Sequence, residues 1–220
     1  MSCLSEREGS VTLVKPRGVC KRGLLSVGLV VVLASVAWAE RLVVDNFDDG
    51  AVPNLLGGDY GAWNRYPDDD TQGCQTAAVP SDAAGTTGSA LRLTYDVDSP
   101  NAAYCGFWSK LPGLDLRSSQ RLVLSLRGDA AAGFTTQLKV ELKHEALSPE
   151  GEPDAGAMRY ATGQHLLKGV TGVWQSFAIP LDAMTGLSDR SRVVELVILV
   201  DDMTSTKKTG TLYLDDIAFE

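Results

Sequence analysis

Residues 134–144 read FTTQLKVELKH. Leu138, Val140, Leu142 and His144 fall on one side of an extended chain, and Gln137, Lys139, Glu141 and Lys143 on the other. Side chains alternate across a strand, so this stretch predicts a β-strand with one buried and one wet face. The pattern repeats outward from it. Leu122, Leu124 and Leu126 alternate within Arg121–Arg127, and Leu91, Leu93 and Tyr95 mark another strand. Trp174, Phe177 and Ile179 lie in a further one that stops at Pro180, with one short helical turn expected over Leu181–Met184. Val193–Val200 is apolar except for Glu195, as expected of a central strand covered on both faces. Thr211–Phe219 supplies the last strand. Turn residues separate these runs at Asp48-Asp49-Gly50, Pro112-Gly113, Gly128-Asp129 and Lys207–Gly210. Pro67–Gly88 and Leu147–Ala157 have loop composition. Strands at this spacing, with no long helical period, predict an all-β fold: a two-sheet antiparallel jelly-roll sandwich.

The chain has 220 residues, 44% of them hydrophobic and 22% charged, with a net charge of −8. That is globular composition. A nucleic-acid binder needs a basic stripe, which this charge balance argues against.

The first 39 residues read as a secretory signal. Lys15, Arg17, Lys21 and Arg22 precede an apolar run of 14 residues, Leu24–Ala37. A span needs about 20 residues, so the run is short for a membrane anchor. It ends in Val36-Ala37-Trp38-Ala39, a small-x-small cleavage pattern. Cleavage after Ala39 would leave one domain, 40–220, with no stable membrane span. Five of the 20 basic and two of the 28 acidic residues precede residue 40, so the remainder carries −11. The expected location is secreted or periplasmic. Cys3 and Cys20 leave with the signal, and Cys74 and Cys105 remain. An even pair in an oxidising compartment predicts a disulfide, with a two-Cys metal site as the weaker reading.

Aromatic faces suit the apolar sides of sugar rings, and planar polar groups suit their hydroxyls. Trp63, Tyr66, Tyr104 and Trp108 are the aromatic candidates, with Tyr60 and Tyr160 behind them. Tyr104 and Trp108 share a strand face, while Cys105 and Phe107 take the other. Either pair has the composition to face the core. Lys139 and Glu141, together with Arg127 and Glu195 from other strands, form a polar row that is either a ligand face or a solvated one. Trp174 reads as structural, and His144, on the apolar side of its strand, as a satisfied core histidine. No G-x-S-x-G, H-E-x-x-H, Walker or dinucleotide motif is present.

Four blocks in order resemble galactose-binding-like jelly-roll domains: LVVDNFDDG at 42–50, GLDLRSSQRLVLSLRGD at 113–129, GVWQSFAIPLDAM at 172–184 and LYLDDIAF at 212–219. The nearest named relatives are carbohydrate-binding modules of family 11. CIA30-like domains share the layout but are less similar, because their Gly-rich aromatic signature is missing. The resemblance implies a non-catalytic domain that binds a polysaccharide or oligosaccharide, such as a β-glucan or cell-wall glycan. A CIA30-like protein-interaction or assembly role is the alternative, and a small polysaccharide-active enzyme ranks below both. Related modules often hold a structural calcium where the first and last strands meet. Asp48 and Asp216 are the residues this implies as ligands here, with Asp45, Asp49 and Asp215 nearby.

Overall fold

A computed structural model describes residues 41–81, 88–148, 150 and 156–220. The signal segment 1–39, with Cys3 and Cys20, lies outside the described residues, as does most of the 147–157 turn. In chain order the strands are β1 (Leu42–Asp45), β2 (Tyr60–Asn64), β3 (Gly73–Pro80), β4 (Ser89–Asp96), β5 (Tyr104–Leu114) and β6 (Arg121–Gly128). They continue with β7 (Gln137–Leu147), β8 (Met158–Lys168), β9 (Gln175–Pro180), β10 (Val193–Asp201) and β11 (Thr209–Phe219). A 3-10 turn spans Leu181–Ala183.

The strands form two antiparallel sheets. One runs β3-β4-β11-β6-β9, with β1 also paired to β11. The other runs β2-β5-β10-β7-β8. The first and last strands are therefore hydrogen-bonded neighbours, with Leu42 opposite Phe219. The all-β two-sheet expectation holds.

The core is the space between the sheets, and the alternation read from the sequence fills it. Leu91, Leu93, Leu122, Leu124, Leu126, Leu212 and Leu214 enter from the first sheet. Cys105, Phe107, Leu138, Val140, Leu142, Leu196 and Ile198 enter from the second. Phe47 packs its ring edge-on against Tyr60 and Phe107, at centroid distances of 5.7 and 6.1 Å. A disulfide joins Cys74 on β3 to Cys105 on β5, so it staples one sheet to the other. Its loop spans 31 positions, a closure worth about 4 kcal/mol in chain entropy.

Two segments differ from the sequence expectation. The stretch 67–88 is not all loop: Gly73–Pro80 is an edge strand paired to β4 in full register. Its Thr-Ala-Ala-Val composition gives little alternation, and pairing to β4 supplies the order instead. Met158–Lys168 is also an edge strand, whose outer positions mix Tyr, Met and Leu with polar residues and so hide the period. His144 is fully buried, its Nδ1 3.0 Å from the Glu145 carbonyl and its Nε2 3.4 Å from Ser188 Oγ.

Candidate functional site

The site lies on the outer face of the second sheet. Phe107 and Cys105 are buried in the core, so alternation sends Tyr104 and Trp108 outward. The register then fixes their neighbours. Trp108 lies opposite Gly61 on β2 and Val197 on β10, and Val197 lies opposite Glu141 on β7. Trp63 lies opposite Gly106, which pairs with Leu199, which pairs with Lys139. These rows set an aromatic side on β2 and β5 beside a charged side on β10 and β7.

Two adjoining depressions result. One, of about 500 Å³, is lined by Trp63, Arg65, Tyr104, Lys139, Glu141, Lys143, Asp201 and Met203 among others. The second, of about 330 Å³, is lined by Trp63, Trp108, Lys110, Lys143 and Glu195. Trp63 and Lys143 belong to both, so they form one groove.

The aromatic wall is held by its own contacts. Trp63 meets Tyr104 edge-on at 5.4 Å. The Arg65 guanidinium stands 5.1 Å from the Tyr104 ring and 4.9 Å from the Tyr66 ring. The Lys110 ammonium stands 5.5 Å from the Trp108 ring centre.

The floor is a lattice of charges. Glu195 accepts hydrogen bonds from both Lys110 and Lys143. Burial pushes its carboxyl up, and the two lysines more than offset that, leaving it below the usual range. Lys139 reaches Asp201 at 3.1 Å. Asp201 also accepts the backbone N–H groups of Met203 and Thr204, at 3.0 and 2.8 Å, and so shapes the loop at the groove's end. Burial pushes the Asp201 carboxyl up, and the Thr204 and Lys139 bonds bring it below the ordinary value. Glu141 differs from both: it lies between Lys139 and Lys143, yet no hydrogen bond reaches it among the described residues. Burial pushes its carboxyl above the usual range, the nearby lysines opposing.

The structure brings together Trp63, Tyr104, Trp108, Lys139 and Glu141. Tyr66 stands at the edge, joined through the Arg65 stack, and faces a separate depression with Asp68, Asp69 and Asp70. Arg127 is not in the groove, and its expected place in the polar row is corrected. It lies on β6 in the opposite sheet, 4.3 Å from the Tyr213 ring and 5.4 Å from that of Trp174. Strand parity cannot tell one outer face from the other. The sequence reading missed Arg65, Asp201 and Met203. For Asp201 a signal existed, since it shares the Glu195 side of β10.

Asp48, Asp215 and Asp216 lie close enough at the β1–β11 junction to act on one another's charges. Asp48 accepts from Asn46 Nδ2 at 2.6 Å and packs against Gly88, where a Cβ would overlap its carboxylate. Asp216 has a left-handed φ of 52° and donates its N–H to Asp215 Oδ1. Asp215 is 4% exposed, and its carboxyl is pushed up to about 6 by burial and by the charges of Asp216 and Asp48. Buried Asp45 has one oxygen, Oδ2, without a hydrogen-bond partner. The oxygens are the kind calcium takes. As placed, however, no three Asp, Glu, His or Cys side chains among the described residues converge as a metal requires.

The fold is a two-sheet antiparallel β-sandwich, similar to that of several carbohydrate-binding modules. A family 11 module of the cellulosomal cellulase Lic26A-Cel5E of Clostridium thermocellum superposes with a TM-score of 0.57 at 15% identity, covering 83% of this chain and 95% of that one. The family 11 module from the same organism in complex with a β-1,3-1,4-mixed-linked tetrasaccharide gives 0.55 at 14%, covering 81% and 94%. A family 30 carbohydrate-binding module gives 0.56 at 15%, covering 83% and 99%. At these identities the likeness is one of fold. No protein-family profile and no curated protein sequence matches the chain. No helix among the described residues is long and apolar enough to cross a membrane.

Proposed function

We propose that this chain is a secreted or periplasmic, non-catalytic domain that binds a neutral polysaccharide, a β-glucan or cell-wall glycan, in the groove of the second sheet. One observation carries the reading: Trp63, Tyr104 and Trp108 share a continuous depression with Lys139, Glu141 and Lys143. Aromatic faces take the C–H sides of sugar rings, and the carboxylate and ammonium groups take hydroxyls. The pairing of Lys110, Lys143 and Lys139 with Glu195 and Asp201 favours an uncharged ligand over a polyanion.

Absence of catalysis is supported by the same pairing. Glycoside hydrolysis commonly needs two carboxyl groups, one ionised and one protonated. Glu195 and Asp201 are each engaged by lysines, and the groove's fourth acid, Asp202, accepts the Ala103 N–H, so no acid beside Glu141 stands free as its partner. Secretion is supported by the basic-apolar-small pattern ending at Ala39 and by the Cys74–Cys105 disulfide. Calcium at the β1–β11 junction is part of the proposal. It is supported by the like charges around Asp215, and its ligands, Asp48 and Asp216 included, would have to draw together around it.

The test is a screen of the purified chain on immobilised and soluble polysaccharides with a Trp108→Ala control. Retention that the control loses supports the reading. No retention on any polysaccharide with sites at millimolar concentration overturns it.

A further inference from the structure

Nine large apolar side chains stand well exposed among the described residues, and four belong to the β7–β8 hairpin: Leu147, Met158, Tyr160 and Leu166. The register pairs Leu147 with Met158, Glu145 with Tyr160, and Lys139 with Leu166. All four therefore point to the face that carries Lys139, Glu141 and Lys143. The inward positions Gly163 and Leu167 are buried as usual. An edge strand ordinarily turns polar residues to water, so the exposed apolar residues gathered at the hairpin's outer end are the anomaly. At the hairpin's outer end Tyr160 is 67% exposed, Leu147 65% and Met158 57%. Beside them Glu145 is paired with Arg192, at 2.5 and 3.2 Å, so its charge is neutralised next to the patch.

The patch continues the groove along β7. From Glu141 to Glu145 is four residues, or ~13 Å at strand rise. A ligand confined to the groove does not reach it, but a long chain does.

We infer that the hairpin end is an outlying sugar subsite, with Tyr160 as its platform and Leu147 and Met158 beside it. It is engaged by a polysaccharide long enough to run from Trp108 along β7. This rests on the groove reading above. A protein occupant is disfavoured by size: a stable interface buries about 800 Å² on each partner, far more than three side chains supply.

The probes are soluble mixed-linked β-1,3-1,4-glucan and a tetrasaccharide cut from it. They are titrated against wild type, Tyr160→Ala, Leu147→Ser/Met158→Ser and Trp108→Ala. The expected result is a loss of about three- to tenfold on the polymer for Tyr160→Ala, with tetrasaccharide binding unchanged. The double variant should follow it, and Trp108→Ala should weaken both probes. If Tyr160→Ala binds the polymer like wild type while Trp108→Ala does not, the subsite is wrong and the groove stands. Equal loss on both probes also overturns it. Wild-type dimers that Tyr160→Ala dissolves, seen by sedimentation velocity, would make the patch a self-contact instead. If wild type binds neither probe, the groove reading fails for this glucan and the subsite with it.

Discussion

Trp108 lies across Gly61: a Cβ on that glycine would stand 3.4 Å from Cζ2 of the indole and 3.5 Å from Nε1. The two residues are cross-strand partners between β5 and β2, and the missing side chain lets the ring lie low on the sheet. Alanine fits there at van der Waals contact, whereas a branched side chain does not. Gly61→Ala should therefore bind polysaccharide like wild type. Gly61→Val should lift the indole and weaken binding about tenfold, as Trp108→Ala should. Affinity electrophoresis with a melting curve for each variant separates a moved ring from a damaged fold. Unchanged binding by Gly61→Val would show that the ring's position does not matter.

Glu141 gives the groove a pH dependence of known sign. Its opposite neighbours are Val197 on β10 and Gln164 on β8, which are neutral. The charged groups acting on it are Lys139 and Lys143 on its own strand and Glu195 and Asp201 on β10, with Arg65 and Asp202 in the same depression. Burial raises its carboxyl above the usual 4.5. Glu195 and Asp201, both held low, stay ionised to lower pH. An ionised Glu141 accepts hydroxyl hydrogen bonds on both oxygens, and protonation removes part of that capacity. Glycan affinity should be flat near neutral pH and fall on acidification, with a midpoint above 4.5. Glu141→Gln should bind more weakly and lose this transition. A Gln variant that keeps the wild-type pH profile would assign the titration elsewhere.

Much of this site was legible in strand parity, and the remainder was not for a physical reason. Period-two alternation places Leu138 and Val140 inward and Lys139 and Glu141 outward, and it pairs Tyr104 with Trp108. Parity does not say which of two sheets a strand joins, so Arg127 looked equivalent to Lys139 although β6 and β7 belong to different sheets. Arg65 was hidden because it follows β2, where a turn and not a strand period sets its direction. Edge strands β3 and β8 bury their inward faces only in part, and so carry a weak signal. Asp215 and Asp216 carried no parity information because a bulge between Asp215 and Ala218 breaks the register.

The Cys74–Cys105 bridge joins the two sheets behind the aromatic wall, next to Tyr104 and Gly106. Replacing both cysteines with serine should lower stability by about 4 kcal/mol through chain entropy. Because the sulfurs face the core and not the groove, glycan affinity should persist wherever the variant remains folded. Chemical denaturation with and without a reductant measures the first quantity, and titration below the transition measures the second. A bridge whose loss abolishes binding in a folded protein would have to position Tyr104.

Asp215 sets a second pH dependence, in stability. Its folded-state carboxyl is pushed up to about 6 by burial, Asp216 and Asp48, from an ordinary 3.8. A raised carboxyl binds its proton more tightly when folded, so acid favours the fold at this site. The contribution is full below about 3.8 and is lost as pH rises through about 6. At neutral pH Asp215→Asn should be the more stable protein, by on the order of 1–2 kcal/mol. The difference should shrink as pH falls below 6 and vanish near 4. Urea unfolding from pH 4 to pH 8 in EDTA reads it directly. Calcium adds an independent arm. A cation drawn in by Asp48, Asp215 and Asp216 would relieve the same repulsion, so calcium should raise the wild-type melting temperature at pH 7 and lower the apparent Asp215 pKa. Asp216→Ala should lose that response. If calcium leaves the wild-type melt unmoved, the ion is absent from this junction, while the pH dependence of Asp215, which rests on burial and neighbouring charge, remains.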